Sequence, residues 1–333
     1  MKILLLVFWL LLNAFVAGQE PPKPLFRNQE PLNLILETDF EKILKEVKTL
    51  DDRQHGHLKY KSATGETHLI PVKTEPRGHY RRDPGNCSFP PLSIKFPQKN
   101  ANTPFENITK LKIVTQCKKR ARGQAYVVKE YLCYRFFNLL TDTSFMVRPA
   151  FIRYVDIHTK DTLDAHFTFF IERTRELRRR TGSEAIDSKH FNIKWLDEYQ
   201  ATRLSLFQFM IGNTDWSAYQ NHNTKAMESG KKRMAVPYDF DWSGFVNTAY
   251  AKPHPDYPVK DVTQRHFIGK EADILAFRRV TEEFMEAEQN IYAFIENNDL
   301  LPEKEKKRSI KYIESFYDIL RNERLWKSYF KIK

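Results

Sequence analysis

Up to about residue 172 the apolar positions recur mostly with a period of two, and beyond it with a period near about 3.6. In the first stretch, PLNLILETDFEKILKEVKTLDD reads as a strand followed by an amphipathic helix. HLKYKSATG and ETHLIPVKTEPRG read as strands joined by a turn at Gly65, with further strands at Leu92–Phe96 and Lys110–Cys117. YVVKEYLCYRFFNLL (Tyr126–Leu140) has apolar and aromatic residues at helical spacing and predicts the most regular helix of this half. SFMVRPAFIRYVDI and AHFTFFIE add two more strands. The second half runs through the charged segment ERTRELRRR and through WLDEYQATRLSLFQFMIG, then into helices over Glu271–Ile295 and Glu303–Tyr329. The pattern predicts an α+β fold: a β-rich half over 32–172 with one prominent helix, and a mainly helical half over 173–333.

The ends and the totals narrow the setting. MKILLLVFWLLLNAFVAG, residues 1–18, has one early Lys, an apolar run and then small residues, the pattern of a cleavable signal peptide cut before Gln19. Its apolar core is short for a spanning helix, so a membrane association would come only through an uncleaved signal anchor. A secreted or periplasmic location is therefore expected, with 19–31 (containing QEPPKPLF) as a linker. The three cysteines, Cys87, Cys117 and Cys133, permit at most one internal bridge; Cys87–Cys117 is the first pair to test, and Cys133 falls inside the helical pattern as a buried thiol. The net charge of +12 is spread along the chain and not gathered in a tail, so no nucleic acid is expected as partner.

Candidate chemistry gathers between Ile211 and Asn247, where IGNTDWSAYQNHN is followed by a basic spacer and VPYDFDWSGFVN. Asp215 opens the stretch, His222 and Asn223 follow, and Asp239 and Asp241 stand at i and i+2, which on an extended segment share one face. Carboxylates and an amide oxygen are hard ligands of the kind Mg²⁺ or Mn²⁺ takes beside phosphate oxygens. The order base, metal Asn, metal Asp is that of phosphoryl-transfer enzymes.

VKTEPRGHYRR, FPPLSIKF, KLKIVTQC, VVKEYLCYRFFNLLTDTSFMVRPAFIRYVD, HFTFFIE, IGNTDWS with HN, and VPYDFD together resemble the spore-coat-protein-H-like (CotH-like) kinases, in a secreted bacterial branch, over roughly residues 32–270. The resemblance implies a two-lobed atypical protein-kinase-like fold, with a β-rich N-lobe and a mainly helical C-lobe. It implies an enzyme that binds ATP with Mg²⁺ or Mn²⁺ and transfers the γ-phosphoryl group to a hydroxyl of an unknown protein acceptor. Carried over by position, Asp215 would be the catalytic-loop Asp, and Asp239, Asp241 and Asn223 the metal ligands. Glu130 would be the helix Glu paired with the phosphate-binding lysine, either Lys112 or Lys95. Arg77 and Gly78 would sit in the phosphate-covering turn, and Glu172 where the chain crosses between lobes. There is no GxGxxG loop, NTD stands where HRD is usual, and the longer gap after Asp215 leaves Asn221 as an alternative ligand to Asn223.

Two other functions stay open at this stage. One is a catalytically inactive, pseudokinase-type binding protein, which metal-dependent nucleotide binding would separate from a kinase. The other is a different nucleotide-dependent transferase or phosphohydrolase using the same carboxylates, which product analysis would separate.

Overall fold

The computed structural model of the chain describes residues 19–62, 64–119, 121–186, 191–330 and 332. The expected signal peptide, residues 1–18, lies outside the described residues. In chain order the elements are β1 (Leu32–Thr38), α1 (Phe40–Lys45), β2 (Gln54–Lys61), β3 (Thr67–Pro76), β4 (Leu92–Lys95) and β5 (Lys110–Val114). Then come α2 (Ala121–Leu140), β6 (Val147–Asp156), β7 (Thr162–Ile171), α3 (Thr174–Thr181), β8 (Glu184–Ala185) and α4 (Glu198–Met210). β9 (Thr224–Ser229), β10 (Lys232–Pro237), α5 (Ile274–Glu296), α6 (Glu303–Arg321) and α7 (Glu323–Tyr329) complete the chain.

The first seven strands form a closed barrel in the order β1-β2-β3-β4-β5-β7-β6. β2 and β3 are the expected hairpin, turning through Gly65 at φ +87°, a backbone region that glycine enters without steric penalty. Closure comes from β1, which pairs in parallel with β6 from Leu32↔Ala150 to Thr38↔Asp156. Alternate residues of β1, Leu32, Leu34 and Leu36, are buried in a core with Leu58, Val72, Ile94, Ile113 and Ile152. Leu25 and Phe26, from the segment expected to be a linker, are buried in that same core.

This architecture corrects the expectation of a two-lobed, protein-kinase-like fold. The β-rich half is a closed barrel, and among the described residues no separate helical lobe stands apart from it. A single hydrophobic cluster joins barrel residues Val114, Val147, Phe167 and Phe169 to α2 and onward to α4, α5 and α6. α2 explains the continuity. Val127, Val128, Leu132, Cys133, Tyr134, Phe136 and Phe137 are all buried, so nearly every face of the helix is apolar and covered, as in a central helix. The mixed α+β content stands; the division into lobes does not.

β9 and β10 form a small hairpin around Gly230, with β8 on its edge. This hairpin occupies the basic spacer between the two acidic segments. Among the described residues no helix is long and apolar enough to cross a membrane.

Candidate active site

The hairpin is what brings the acidic stretch together. Its register ends at Pro237↔Thr224, and one step further Tyr238 N donates to Asn223 O at 3.0 Å. The chain entering the hairpin through His222 and Asn223 is thereby held beside the chain leaving it through Asp239 and Asp241. Asn221, Asn223 and Asp239 have φ of +51°, +51° and +64°, a left-handed conformation that Asn and Asp tolerate better than other non-glycine residues. Such conformations in non-glycine residues concentrate at functional sites. The segment around Asp239 is therefore not an extended strand, and the i, i+2 argument does not hold. The two carboxylates nevertheless line one cavity, because the turn directs them there.

That cavity has a volume of about 350 Å³ and is lined by Arg77, Gly78, His79, Tyr80, Arg81, Glu130, Asp215, His222, Asn223, Asp239, Asp241 and Trp242 together with Pro91 and Val114. Seven residues singled out from the sequence meet here: Arg77, Gly78, Glu130, Asp215, Asn223, Asp239 and Asp241. Asn221 does not line it; Asn223 does.

Asp215 is held from three directions. Its backbone N–H donates to Asn213 Oδ1 at 2.9 Å, its Oδ1 lies 2.9 Å from His222 Nε2, and its Oδ2 accepts from Asn223 Nδ2 at 3.0 Å. The amide N–H₂ of Asn223 is thus committed to Asp215, which leaves its Oδ1 as the atom available to a cation. Asp241 Oδ2 accepts from Tyr250 Oη at 2.7 Å, and Asp239 N donates to Tyr134 Oη at 3.0 Å. Tyr134 stands one helical turn after Glu130 on α2, so one face of that helix presents both to the site.

Charge in the cavity is crowded and incompletely neutralised. Burial, followed by Asp241 and Asp239, raises the Glu130 carboxyl well above the usual carboxylate range, against the pull of Arg81 and Arg77. Burial and then Asp239 lift Asp241 to about 7. Burial also opposes the charge on Arg81, but Tyr250, Asp241, Glu130 and Asp239 outweigh it and raise the guanidinium's pKa. For Arg77 burial prevails and lowers it. Yet among the described residues no ion pair within 4.0 Å joins Arg77 or Arg81 to Glu130, Asp239 or Asp241. The Nε atoms of both arginines are buried without a hydrogen-bond partner. The opposite charges face each other across the cavity instead of closing it.

The remaining sequence candidates lie elsewhere. Lys112 stands beside the site: it is exposed as a residue, but its ammonium end is crowded by protein atoms and by Arg77, which brings it down to about 8. Its Nζ lies 5.7 Å from the centre of the Tyr238 ring. Lys95 is exposed on β4, paired in register with Lys73 and Lys110, away from the cavity. Neither lysine makes an ion pair with Glu130; the cations facing Glu130 are the two arginines. Glu172 is remote from the site, buried in a two-pronged pair with Arg180 (Nε to Oε1 3.1 Å, Nη2 to Oε2 3.0 Å) and accepting from Met146 N at 3.1 Å.

Sequence reasoning passed over Arg81, Tyr134 and Tyr250. Arg81 stands four residues after Arg77 in RGHYRR, and that repetition of cations around Gly78 was the available signal. The arginine segment is stapled in place: Cys87 and Cys117 form a disulfide, and Arg81 Nη2 donates to Thr115 O next to it. Arg77 N donates to Pro91 O at 2.8 Å. Cys133 is free and buried, as its place in the helix led one to expect.

Carboxylates facing guanidinium groups across a cavity of this size suit a ligand that carries anionic oxygens on one side and a bound cation on the other. The donor set is hard oxygen. Among the described residues no group of three or more His, Cys, Asp or Glu side chains is arranged to hold a metal unaided. A Mg²⁺-like ion does not require one, since it usually takes one or two carboxylates and completes its shell with phosphate oxygens and water. No family model matches the chain, and no curated protein matches it.

Proposed function

We propose that the protein is a metal-dependent phosphotransferase that moves the γ-phosphoryl group of ATP to a protein hydroxyl. The observation that carries the reading is the open gap between Arg77 and Arg81 on one wall and Asp215, Asp239, Asp241 and Glu130 on the other. Guanidinium groups that line a gap without a carboxylate partner call for an anion, and like-charged carboxylates crowded together call for a cation. A metal–triphosphate supplies both at once.

In this reading Asp239 and Asp241, with Asn223 Oδ1, hold Mg²⁺ or Mn²⁺, whose contribution when bound is to neutralise charge on the phosphate oxygens. Arg77 and Arg81 bind phosphate oxygens, with guanidinium geometry suited to two-pronged contact. Lys112, at the rim, adds a positive charge. Asp215 receives or orients the acceptor hydroxyl, and His222 and Asn223 fix its carboxylate in place. As the hydroxyl oxygen bonds to phosphorus, its proton passes to the Asp215 side and the bond to the bridging oxygen of the diphosphate breaks. Most of the acceleration would come from positioning and charge stabilisation. The resemblance to CotH-like kinases supports the same chemistry, and the signal-peptide pattern of residues 1–18 supports an exported protein cut before Gln19.

Incubation of the mature protein with γ-labelled ATP and Mn²⁺ or Mg²⁺ tests the reading. Label on a protein acceptor, or on the protein itself, is expected. Label released only as inorganic phosphate would make water the acceptor and the protein a phosphohydrolase. No label transfer and no nucleotide binding by folded protein would overturn the proposal.

A further inference from the structure

Two glycines flank the acidic stretch, Gly212 before Asp215 and Gly244 after Asp241, and one tyrosine crowds both, although Gly212 also stands at φ +62°. A Cβ at Gly212 would lie 2.0 Å from Tyr312 Oη, and a Cβ at Gly244 would lie 2.5 Å from the same atom and 2.6 Å from Val262 O. The two backbones meet there: Gly244 N donates to Gly212 O at 3.0 Å, and Phe245 N donates to Ile211 O at 2.9 Å. Tyr312 comes from α6, far along the chain, and its hydroxyl is buried with no hydrogen-bond partner among the described residues. Its contribution is therefore shape. Arg265 holds the ring from behind, stacked at 3.9 Å from its centre, while donating to Met210 O at 3.1 Å, Ser315 Oγ at 2.8 Å and Tyr312 O.

We infer that Tyr312 is a positioning residue, a wedge that fixes the spacing between the loop carrying Asp215 and the turn carrying Asp241. The inference deepens the phosphotransfer reading and rests on it for its effect on turnover. The geometry supplies the mechanism. Each loop is joined to the other by two backbone hydrogen bonds, and each has given up its side chain at the point of contact. A residue that fills the shared space removes the room in which the loops could slide. Small misplacements of a reacting pair reduce rate steeply, by about a hundredfold for a shift on the order of 1 Å.

Three single variants and one double variant test this. Tyr312→Phe keeps the ring and removes only an unpartnered hydroxyl. Tyr312→Ala removes the wedge. Gly212→Ala inserts a methyl group against the hydroxyl and also strains a backbone at φ +62°; combining it with Tyr312→Phe relieves the contact but not the strain, so only a partial rescue is expected. Amide hydrogen exchange at Gly244 and Phe245 reads the loop junction whether or not the protein is an enzyme. Tyr312→Ala should speed exchange at both amides by about tenfold or more beyond its global destabilisation, whereas Tyr312→Phe should leave it within about threefold. Unchanged exchange in a folded Tyr312→Ala would overturn the wedge. In the labelled-ATP assay Tyr312→Ala should lower kcat by about tenfold or more with the nucleotide Kd changed by less than about threefold, and Gly212→Ala should be partly rescued by Tyr312→Phe. Wild-type kcat in folded Tyr312→Ala would also overturn it. Altered exchange in a protein whose wild type binds no nucleotide would keep the wedge and sink the phosphotransfer reading instead.

Discussion

Asp241→Asn separates the penalty of crowding carboxylates from the benefit of holding a cation. Asp241 is buried, and burial together with Asp239 moves its pKa from 3.8 to about 7. Across that interval the difference is worth about 4 kcal/mol, at about 1.4 kcal/mol for each pKa unit. The sign follows from counting protons. Between the unfolded value of 3.8 and the folded value of about 7, the native chain holds a proton that the unfolded chain has released. Unfolding free energy therefore falls as pH rises through that window and levels off above it. Without divalent cation, wild type should lose up to about 4 kcal/mol from this group between about pH 4 and about pH 8. Asp241→Asn should lose that part of the slope, since an amide does not titrate and still accepts from Tyr250 Oη. With Mn²⁺ at about a hundredfold its Kd, wild type at about pH 8 should gain about 2.7 kcal/mol and the variant almost nothing. Urea denaturation in EDTA and in excess Mn²⁺, at the two pH values, reads all of these. Parallel pH slopes in EDTA would refute the crowding argument. Equal stabilisation by Mn²⁺ would refute the cation site.

Two further outcomes follow from the supporting structure. Cys87→Ser with Cys117→Ser opens a cross-link spanning 30 residues and should lower stability by about 3.6 kcal/mol, read as a lower urea midpoint, with weakened phosphate binding because the segment carrying Arg77 and Arg81 is released. Glu172→Gln leaves the buried Arg180 guanidinium without its counter-charge and should destabilise by about 3–5 kcal/mol while leaving the nucleotide Kd unchanged, a combination that denaturation and calorimetry would show together.

Local pattern told much of the element structure and the acidic half of the site. Strands such as β1 and β3 alternate buried and exposed residues, and β6, β7 and α2 are too apolar to stand in solvent, so each announces itself within a short window. Barrel closure did not. β1 and β6 pair across more than a hundred residues of chain, and nothing in either strand names its partner. The β9–β10 hairpin was hidden for a different reason: its strands, TKAMES and KRMAVP, are short and meet at a run of lysine and arginine around Gly230. The partner of Glu130 was also misread. A lysine on a neighbouring strand was expected; Lys112 does stand beside the site, on the same face of β5 as Val114, but makes no ion pair with Glu130, and Lys95 is exposed on β4. Arginines from the following connection reach the carboxylate instead. Asp215, Asp239 and Asp241 came through because acidic residues beside aromatic ones are conspicuous in any order.

Calorimetric titration of a non-hydrolysable ATP analogue with Mg²⁺ tests the central claim most directly, comparing wild type with Asp215→Ala and Asp239→Ala. On the proposed reading Asp215 serves the acceptor and Asp239 the cation, so the two carboxylates should behave differently. Asp215→Ala should bind the nucleotide within about threefold of wild type and transfer no phosphoryl group, whereas Asp239→Ala should lose binding by about tenfold or more along with transfer. Equal binding by wild type and both variants would put the nucleotide outside this cavity and contradict the account.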